Sequence, residues 1–391
     1  MQTALPPGCL DIPEQVNITE HIVSRHVLLG RGDQVALRCA GRSLTFAELE
    51  TLTDTVSTSL RAEGAGRGDR IVLCSPNSLA YAACVLGAMK AGVVPVLTGP
   101  GTTPAALSRI VDDTGAVLVL TDPAQLDKLC SSQGAGTGGE PVREDTLADE
   151  PAYIHYTADG RPVVHAHRTV IGAGDPIRYG FLRLRPGDCC LVAGDLTAML
   201  GFDFALLFPL ASGARAVLHA GLATPSRILA SAEQEGASIL VGGPDFYRGL
   251  VDTVGVEQRF DLSGIRLALC GPEPLADSVY HEIRNRFGLE VRAITGHAEA
   301  HVYAVDHPDV PVKRGSLGLP LPGRGVVVLT DDGREADIRE VGRICLPSDD
   351  PALALSNHRN GWYDSGDLAY RDEDGYLWPV PEHDNGTTTT Q

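Results

Sequence analysis

Lysine is almost absent from this sequence of 391 residues, in which it occurs only as Lys90, Lys128 and Lys313. Lysine and arginine together number 32 against 50 aspartate and glutamate residues, which leaves a formal net charge of −18. Proteins that bind nucleic acids use clustered lysine and arginine side chains to contact the phosphates. The charge balance therefore argues against a nucleic-acid partner, and the scarcity of lysine restricts any chemistry that needs one.

The sequence also lacks the patterns of several other protein classes. Its nine cysteines are dispersed, without Cys-x-x-Cys or mixed Cys/His spacing, so we predict no metal site and thiols that stay reduced in a cytosol. Residues 1–13 show no basic region followed by an apolar run, which is not typical of a signal peptide. No apolar stretch is long enough to span a bilayer. We therefore expect a cytoplasmic globular protein without membrane contact.

Short apolar runs alternate with helix-like segments along most of the chain. Thr45 and Glu48 form a capping-box pattern ahead of apolar residues at helical spacing, and residues 70–74 follow as a buried strand. The alternation repeats between residues 214 and 295. Strand–helix–strand order at this spacing predicts an α/β fold with mainly parallel sheets flanked by helices.

Changes in this pattern divide the chain into predicted parts. We predict a first αβ lobe over residues 1–150, a second αβ lobe over 151–314, a small β subdomain over 315–380 and a disordered tail over 381–391. Ligands of parallel sheets bind at the carboxyl ends of the strands. The loops after Cys270 and Thr295 are therefore expected to carry the chemistry.

Seven segments carry recognisable motifs in a fixed order: residues 41–49 (GRSLTFAEL), 67–73 (RGDRIVL), 88–96 (AMKAGVVPV), 271–275 (GPEPL), 296–299 (GHAE), 315–320 (GSLGLP) and 362–368 (WYDSGDL). Together they resemble the adenylate-forming superfamily of acyl-CoA synthetases, peptide-synthetase adenylation domains and luciferases, and most of all benzoate- and aryl-CoA ligases. The resemblance implies the large N-terminal body of that fold, with two αβ lobes, a small β subdomain and an active site between them.

Some nucleotide-binding positions of the superfamily are retained. By resemblance, Gly271, Pro272 and Glu273 match the loop against which adenine packs, and Asp367 matches the acid that holds the ribose hydroxyls. Glu299 matches the acid that helps to hold magnesium. The alternative is that both carboxylates are inherited structure that caps loops without binding a ligand.

The phosphate-binding loop departs from the superfamily pattern. A Ser/Thr- and Gly-rich loop ending in Pro-Lys-Gly wraps the triphosphate with small residues and a lysine. The matching segment, residues 155–167 (HYTADGRPVVHAH), is shorter than the superfamily loop. It contains an acidic Asp159 and lacks the lysine, although Arg161 could replace that cation. We predict that triphosphate binding is lost.

The end of the sequence departs as well. The superfamily resemblance implies a mobile C-terminal domain of about one hundred residues, whose lysine drives adenylation. Here the resemblance stops near residue 378, and we expect natural loss of that domain. The expected ligand is then the AMP moiety of an acyl-adenylate, with no need for ATP or magnesium.

His297 and Glu299 are the candidate catalytic pair. Gly296 lets the chain turn after a predicted strand, and residues two apart share one face if the backbone stays extended. A histidine beside a carboxylate could act as a general acid or base near neutral pH. The alternative for His297 is a partly buried ring bonded to a backbone carbonyl.

Aromatic residues supply the predicted substrate pocket. Phe202, Phe246 and Tyr247, together with Gly296, lie in segments that resemble the pocket-lining parts of aryl-CoA ligases. Packing in the core is the alternative for the aromatic residues.

The sequence leaves two functions open beside a third, a conventional ligase with aberrant loops, which the missing lysine disfavours. The first is a non-adenylating enzyme of a specialised biosynthetic pathway, which binds an acyl-adenylate or another aryl or acyl carboxylate derivative and transforms or transfers it. The second is a catalytically inactive pseudoenzyme that acts as a binding or scaffold partner. Beside the small-molecule substrate, the candidate partners are a full-length adenylating paralogue and a carrier protein.

Overall fold

The structure is a computed structural model that describes residues 12–131, 143–157, 160–175, 181–347, 358–359 and 361–380. The described α-helices are α1 (Arg25–Leu28), α2 (Phe46–Ala62), α3 (Leu79–Lys90), α4 (Pro104–Thr114), α5 (Pro123–Leu129), α6 (His167–Asp175), α7 (Met199–Phe202), α8 (Phe208–Ser212), α9 (Pro225–Glu235), α10 (Pro244–Asp252) and α11 (Asp277–Phe287). Two π-helical segments (Glu20–Ser24 and Asp203–Leu207) and a 3-10 helix (Val256–Gln258) are also described. The tail predicted over 381–391 lies outside the described residues.

The strands form three sheets. They are β1 (Val35–Cys39), β2 (Arg42–Thr45), β3 (Arg70–Cys74), β4 (Val94–Thr98), β5 (Leu118–Leu120), β6 (Pro151–Tyr156), β7 (Pro162–Ala166), β8 (Cys189–Ala193), β9 (Arg215–Leu218), β10 (Ile239–Gly242), β11 (Leu267–Cys270), β12 (Val291–His297), β13 (His301–Val305), β14 (Leu319–Pro320), β15 (Val327–Leu329), β16 (Gly342–Pro347), β17 (His358–Arg359), β18 (Trp362–Arg371) and β19 (Leu377–Pro379).

Local sequence signals set the helix starts. The Thr45 hydroxyl accepts the Glu48 amide at 3.2 Å, while the Glu48 carboxylate accepts the Thr45 amide at 2.8 Å. This capping box begins α2 as predicted. The Ser78 hydroxyl accepts the Tyr81 amide at 3.0 Å and begins α3, whose side chains are almost all buried. Both helices contribute to the largest apolar core, which the two αβ sheets share.

The first αβ sheet has five strands in the order β5-β3-β4-β6-β7. Its first four strands are parallel, and β7 pairs antiparallel with β6. The segment that resembles the phosphate-binding loop therefore forms a β-hairpin, with its turn between Tyr156 and Pro162.

The second αβ sheet has nine strands in the order β14-β13-β12-β11-β10-β8-β9-β1-β2. Its six central strands, from β12 to β1, are parallel, and the sheet ends in antiparallel pairs on both sides. Strands β1 and β2 come from the predicted first lobe, whereas β6 and β7 of the predicted second lobe belong to the first sheet. The sheets thus exchange strands across residue 150, so that boundary does not separate them.

The third sheet is antiparallel and small. It runs β15-β16-β18-β17, with β19 paired to β18, and it packs around its own apolar cluster. Mainly parallel αβ sheets beside a small β subdomain confirm the predicted fold class.

Neither a membrane span nor a metal cluster is found in the described part of the chain. None of its helices has both the length and the apolar character needed to cross a bilayer. None of its groups of three or more histidine, cysteine, aspartate and glutamate side chains is placed to hold a metal ion.

Candidate active-site cavity

A cavity of about 870 Å³ opens at the carboxyl ends of four parallel strands, β8, β10, β11 and β12. Residues 192–194, 241–245, 271–274 and 295–298 form that side of the wall, and Gly366–Leu368 of β18 face them from the third sheet. The carboxyl ends of parallel strands meet at one edge of a sheet, where ligands commonly bind. The second and third sheets therefore enclose a single candidate site.

The adenine-loop candidates lie on this wall. Gly271, Pro272 and Glu273 follow directly from β11 and line the cavity. A Cβ atom at Gly271 would lie 2.1 Å from the carbonyl oxygen of Ile294 on the neighbouring strand. Only glycine therefore lets the chain turn this close to β12.

His297 and Asp367 meet across the cavity. His297 ends β12, and its Nε2 lies 2.7 Å from Oδ2 of Asp367, a residue 70 positions further along the chain. The Tyr303 hydroxyl donates to the same oxygen at 3.3 Å, and its ring stacks on the imidazole with an interplanar angle of 3°. The side chains of His297 and Asp367 are 29% and 45% exposed, so a ligand in the cavity can reach both.

The pair changes the charge state of both residues. Burial lowers the pKa of His297, but the hydrogen bond to Asp367 and the charges of Asp367, Glu299 and Glu273 outweigh it and raise that pKa. Burial raises the pKa of Asp367, but hydrogen bonds from His297, Tyr303 and Ser365 outweigh it and lower that pKa. A protonated imidazole beside an ionised carboxylate is thereby favoured.

Glu299 does not share a face with His297, which corrects the predicted pairing. The Ala300 amide donates to the His297 carbonyl at 3.1 Å, and a tight turn leads straight into β13. The prediction assumed an extended backbone, and the turn rotates Glu299 out of the cavity wall. Its carboxylate is buried, lies 3.8 Å from Arg161 and is hydrogen-bonded to Tyr363.

The hairpin between β6 and β7 stands where the phosphate-binding loop was expected. The Thr157 amide donates to the Arg161 carbonyl at 2.9 Å, and the Gly160 amide donates to the Thr157 carbonyl at 2.8 Å. Asp159 lies outside the described residues. Arg161, the candidate replacement cation, faces Glu299 and is not on the cavity wall.

The three aromatic pocket candidates lie behind the wall, which corrects that prediction. Phe202 is 1% exposed and contacts the ring of Tyr153, with 4.4 Å between the ring centroids. The Tyr247 hydroxyl donates to the Leu269 carbonyl at 3.0 Å, and Phe246 packs beneath Gly242. Aromatic character is the same in a core and in a pocket, so the sequence pattern could not separate them.

Other residues form the apolar part of the wall. They are the backbone-rich segment Ala198–Gly201, together with Val192, Val241, Leu317 and Leu368. Gly296 lines the cavity at the start of the β12–β13 turn. Tyr303, which holds Asp367, was not predicted. Its only sequence signal is its place in a short, mostly apolar run, which does not indicate which side chains meet β18.

All three lysines are engaged away from the cavity. Lys90 is fully buried and lies 2.5 Å from Asp54, Lys128 lies 2.8 Å from Glu63, and Lys313 lies 2.7 Å from Asp372. The charged side chains on the described wall are instead Asp245, Glu273 and Asp367, together with His297.

The sequence is similar to those of several known proteins. Residues 25–353 match the model of the AMP-binding enzyme family. The chain is 26% identical over 410 residues to a 3-hydroxybenzoate–CoA/4-hydroxybenzoate–CoA ligase of Thauera aromatica, and the match covers 94% of this chain and 77% of that protein. It is also 26% identical over 408 residues to a benzoate–CoA ligase of the same organism, with 95% and 77% covered.

Solved structures share the fold. An anthranilate CoA ligase in complex with anthranoyl-AMP superposes with a TM-score of 0.84 at 22% identity, over 94% of this chain and 78% of that one. A benzoate CoA ligase from Burkholderia xenovorans LB400 superposes with a TM-score of 0.82 at 22% identity, over 93% and 79%.

Proposed function

The chain belongs to the AMP-binding enzyme family, and from that premise we propose that it is a non-adenylating member. In this proposal it binds an acyl-adenylate, or another aryl or acyl carboxylate derivative, in the 870 Å³ cavity and transfers or transforms the acyl group. The observation that carries the proposal is the charge of the described wall, which has three carboxylates and neither lysine nor arginine.

This charge pattern disfavours a triphosphate. Adenylation requires that the negative charge of ATP be neutralised while pyrophosphate leaves, and lysine, arginine and magnesium normally do so. The described wall offers neither of these two side chains to the phosphates, since its charged groups are three carboxylates and one histidine. An acyl-adenylate carries a single phosphate charge, so its entry costs far less electrostatic energy.

The same wall suits the two ends of an acyl-adenylate. Val192, Val241 and Leu200 offer an apolar surface to an aryl or acyl group. The family relatives named above act on benzoates, which supports an aromatic acyl group. Gly271–Pro272 and the half-exposed Asp367 offer a packing surface and a hydroxyl acceptor to the adenosine.

His297 gives this cavity a means of acting chemically. Its raised pKa increases the protonated fraction near neutral pH, so it is the cationic group of the described wall. In acyl transfer a nucleophile forms a bond to the acyl carbon while the carbon–oxygen bond to AMP breaks. The imidazolium would offset the phosphate charge and, as a general acid, donate a proton to the leaving group.

Such a reaction depends on a supplier. If the chain does not make its own adenylate, another protein must, and a full-length adenylating paralogue is the expected partner. A carrier protein is a candidate acceptor. ATP-dependent supply of this kind fits a cytoplasmic location.

The first test is pyrophosphate exchange. With a panel of aryl and short acyl acids, exchange should stay at background, while a benzoate–CoA ligase assayed in parallel gives a clear signal. Exchange above background with any acid would show that adenylation is retained.

The second test compares ligands by calorimetry. AMP and an acyl-sulfamoyl adenosine should bind at least as tightly as ATP, because the described wall has no lysine or arginine to contact the additional phosphates. Tighter binding of ATP would contradict the proposal. If none of the three ligands binds, the scaffold function becomes the better interpretation.

A further inference from the structure

Two cysteine side chains face each other where α3 packs against the end of α5. The Cys84 thiol lies 3.8 Å from the carbonyl oxygen of Leu126, and the Cys130 thiol lies 3.9 Å from that of Ala80. Ala80 is one helical turn before Cys84, and Leu126 is one turn before Cys130. Each thiol therefore reaches across to the turn that precedes the other, which makes the two side chains neighbours.

The two thiols differ in access. Cys84 is fully buried, whereas Cys130 is partly exposed. The other described cysteines, Cys39, Cys74, Cys189, Cys190, Cys270 and Cys345, are all buried. Among the described thiols, a solvent-borne oxidant can therefore reach Cys130 first, and Cys84 is the thiol in contact behind it.

The contact also assigns the two roles. Interaction with the neighbouring Cys130 and then burial hold the pKa of Cys84 well above its usual range, so the Cys84 thiol stays protonated. Cys130 is the thiol of the pair that meets solvent. It is therefore the initial nucleophile, since the reactivity of a thiol towards an oxidant follows its exposure.

We propose that Cys84 and Cys130 are a peroxide-sensitive modification site, at which an intramolecular disulfide links α3 to the end of α5. The Cys130 sulfur attacks hydrogen peroxide, a sulfur–oxygen bond forms and the oxygen–oxygen bond breaks. The departing hydroxide takes up the Cys130 thiol proton and becomes water. Cys84 then attacks the Cys130 sulfur and gives up its proton. The sulfur–sulfur bond forms, the sulfur–oxygen bond breaks and water leaves. The protein loses two hydrogens, and the peroxide is reduced to two molecules of water.

The test is mass spectrometry of the folded wild-type chain. After brief peroxide treatment and alkylation of the remaining thiols, trypsin should release a disulfide-linked pair of peptides, residues 71–90 and 129–143. Reduction should separate them. The wild-type experiment needs no substitution, so it stays decisive even if a variant folds poorly.

Cys74 supplies a matched control, because it lies in the same tryptic peptide as Cys84. Cys74→Ser should leave the cross-link intact, while Cys84→Ser should abolish it. In Cys84→Ser, Cys130 should instead accumulate as a sulfenic acid that dimedone captures.

Three outcomes would overturn the proposal. They are a linked pair that persists in Cys84→Ser, peroxide consumption without any linked pair, and dimedone labelling of a different cysteine in preference to Cys130. None of these readouts depends on the acyl substrate, so this inference and the proposed function can fail separately.

Discussion

Asp367 matches a nucleotide-binding position, but here it is hydrogen-bonded to other side chains of the protein. The superfamily resemblance assigns it to ribose hydroxyls, yet its Oδ2 accepts hydrogen bonds from His297 on the facing wall and from the buried Tyr303. These bonds are charge-assisted, which makes them stronger than bonds between neutral groups. An arriving ligand must bind Asp367 beside them or displace them.

We expect Asp367→Asn to weaken AMP binding by about 1–3 kcal/mol, since charge-assisted hydrogen bonds of this size are lost. It should also lower the pKa of His297, because the neighbouring charge and its strong hydrogen bond raise that pKa. Calorimetry measures the first change, and an NMR titration of the imidazole measures the second. Asp245→Asn is the control, because Asp245 lies on the same wall but has no described bond to His297.

The pH dependence of stability follows from the two pKa directions. His297 has a raised pKa, so its contribution to the free energy of unfolding is full below a pH of about 6.5. That contribution is lost as the pH rises through the raised pKa. Asp367 has a lowered pKa, so its contribution is full above about 3.9 and is lost as the pH falls through the lowered value. If the pKa of His297 is unchanged in Asp367→Asn, Asp367 does not raise that pKa.

At the scale of elements, the β12–β13 hairpin positions the candidate chemistry. His301, the first residue of β13, adopts a φ of 54°, and Gly296 lies against its carbonyl. The buried Asp203 carboxylate contacts Nδ1 of His301 at 2.8 Å and holds this end of the strand. The turn that aims His297 into the cavity therefore rests on close backbone contacts.

Gly296→Ala should destabilise this hairpin. The added Cβ would lie 2.3 Å from the His301 carbonyl oxygen and 2.9 Å from Cα of Val302, so the backbone must move. Overpacking of this kind costs about 1–3 kcal/mol, and urea unfolding measures it.

Gly187→Ala is the matched control, since no heavy atom lies within 4 Å of its added Cβ. Its effect should stay within about 0.5 kcal/mol. Equal stability of the two variants would contradict the role assigned to Gly296.

At the scale of the whole molecule, the third sheet must stay attached for the cavity to exist. Backbone bonds link residues 317 and 318 to Leu377 of β19 at 2.8 and 3.0 Å. Asp372 reinforces this junction, because it accepts bonds from Lys313 at 2.7 Å and from the Trp378 indole at 2.9 Å.

We expect Asp372→Asn to flatten the acid dependence of stability. Burial opposes the charge of Asp372, but bonds from Lys313, Trp378 and the Tyr376 amide lower its pKa to about 2. Its stabilising effect is full above about 3.9 and is lost as the pH falls towards 2. Urea midpoints measured between pH 5 and 2 should fall less steeply in the variant.

Asp374→Asn provides the comparison, since Asp374 also contacts Lys313 but its side chain is 73% exposed. Solvent weakens such a surface pair, so its substitution should leave the slope nearly unchanged. If Asp372→Asn and Asp374→Asn share the wild-type slope, Asp372 does not stabilise the junction.

Features that depend on neighbouring residues could be predicted. The capping box at Thr45 and the apolar strand at residues 70–74 both arise from contacts within a few positions. The family motifs are equally local, and they led to the correct fold class and family.

Features that depend on distant segments could not be predicted, because local spacing carries no information about which faces meet. The bond between His297 and Asp367 spans 70 positions and exists because the third sheet packs across the end of the second. Glu299 does not line the cavity, because β12 ends in a tight turn. Phe202 lies in the core, because Tyr153 and His155 of β6 pack against its ring. Burial and pairing between elements, rather than residue type, determine which of these side chains a ligand can reach.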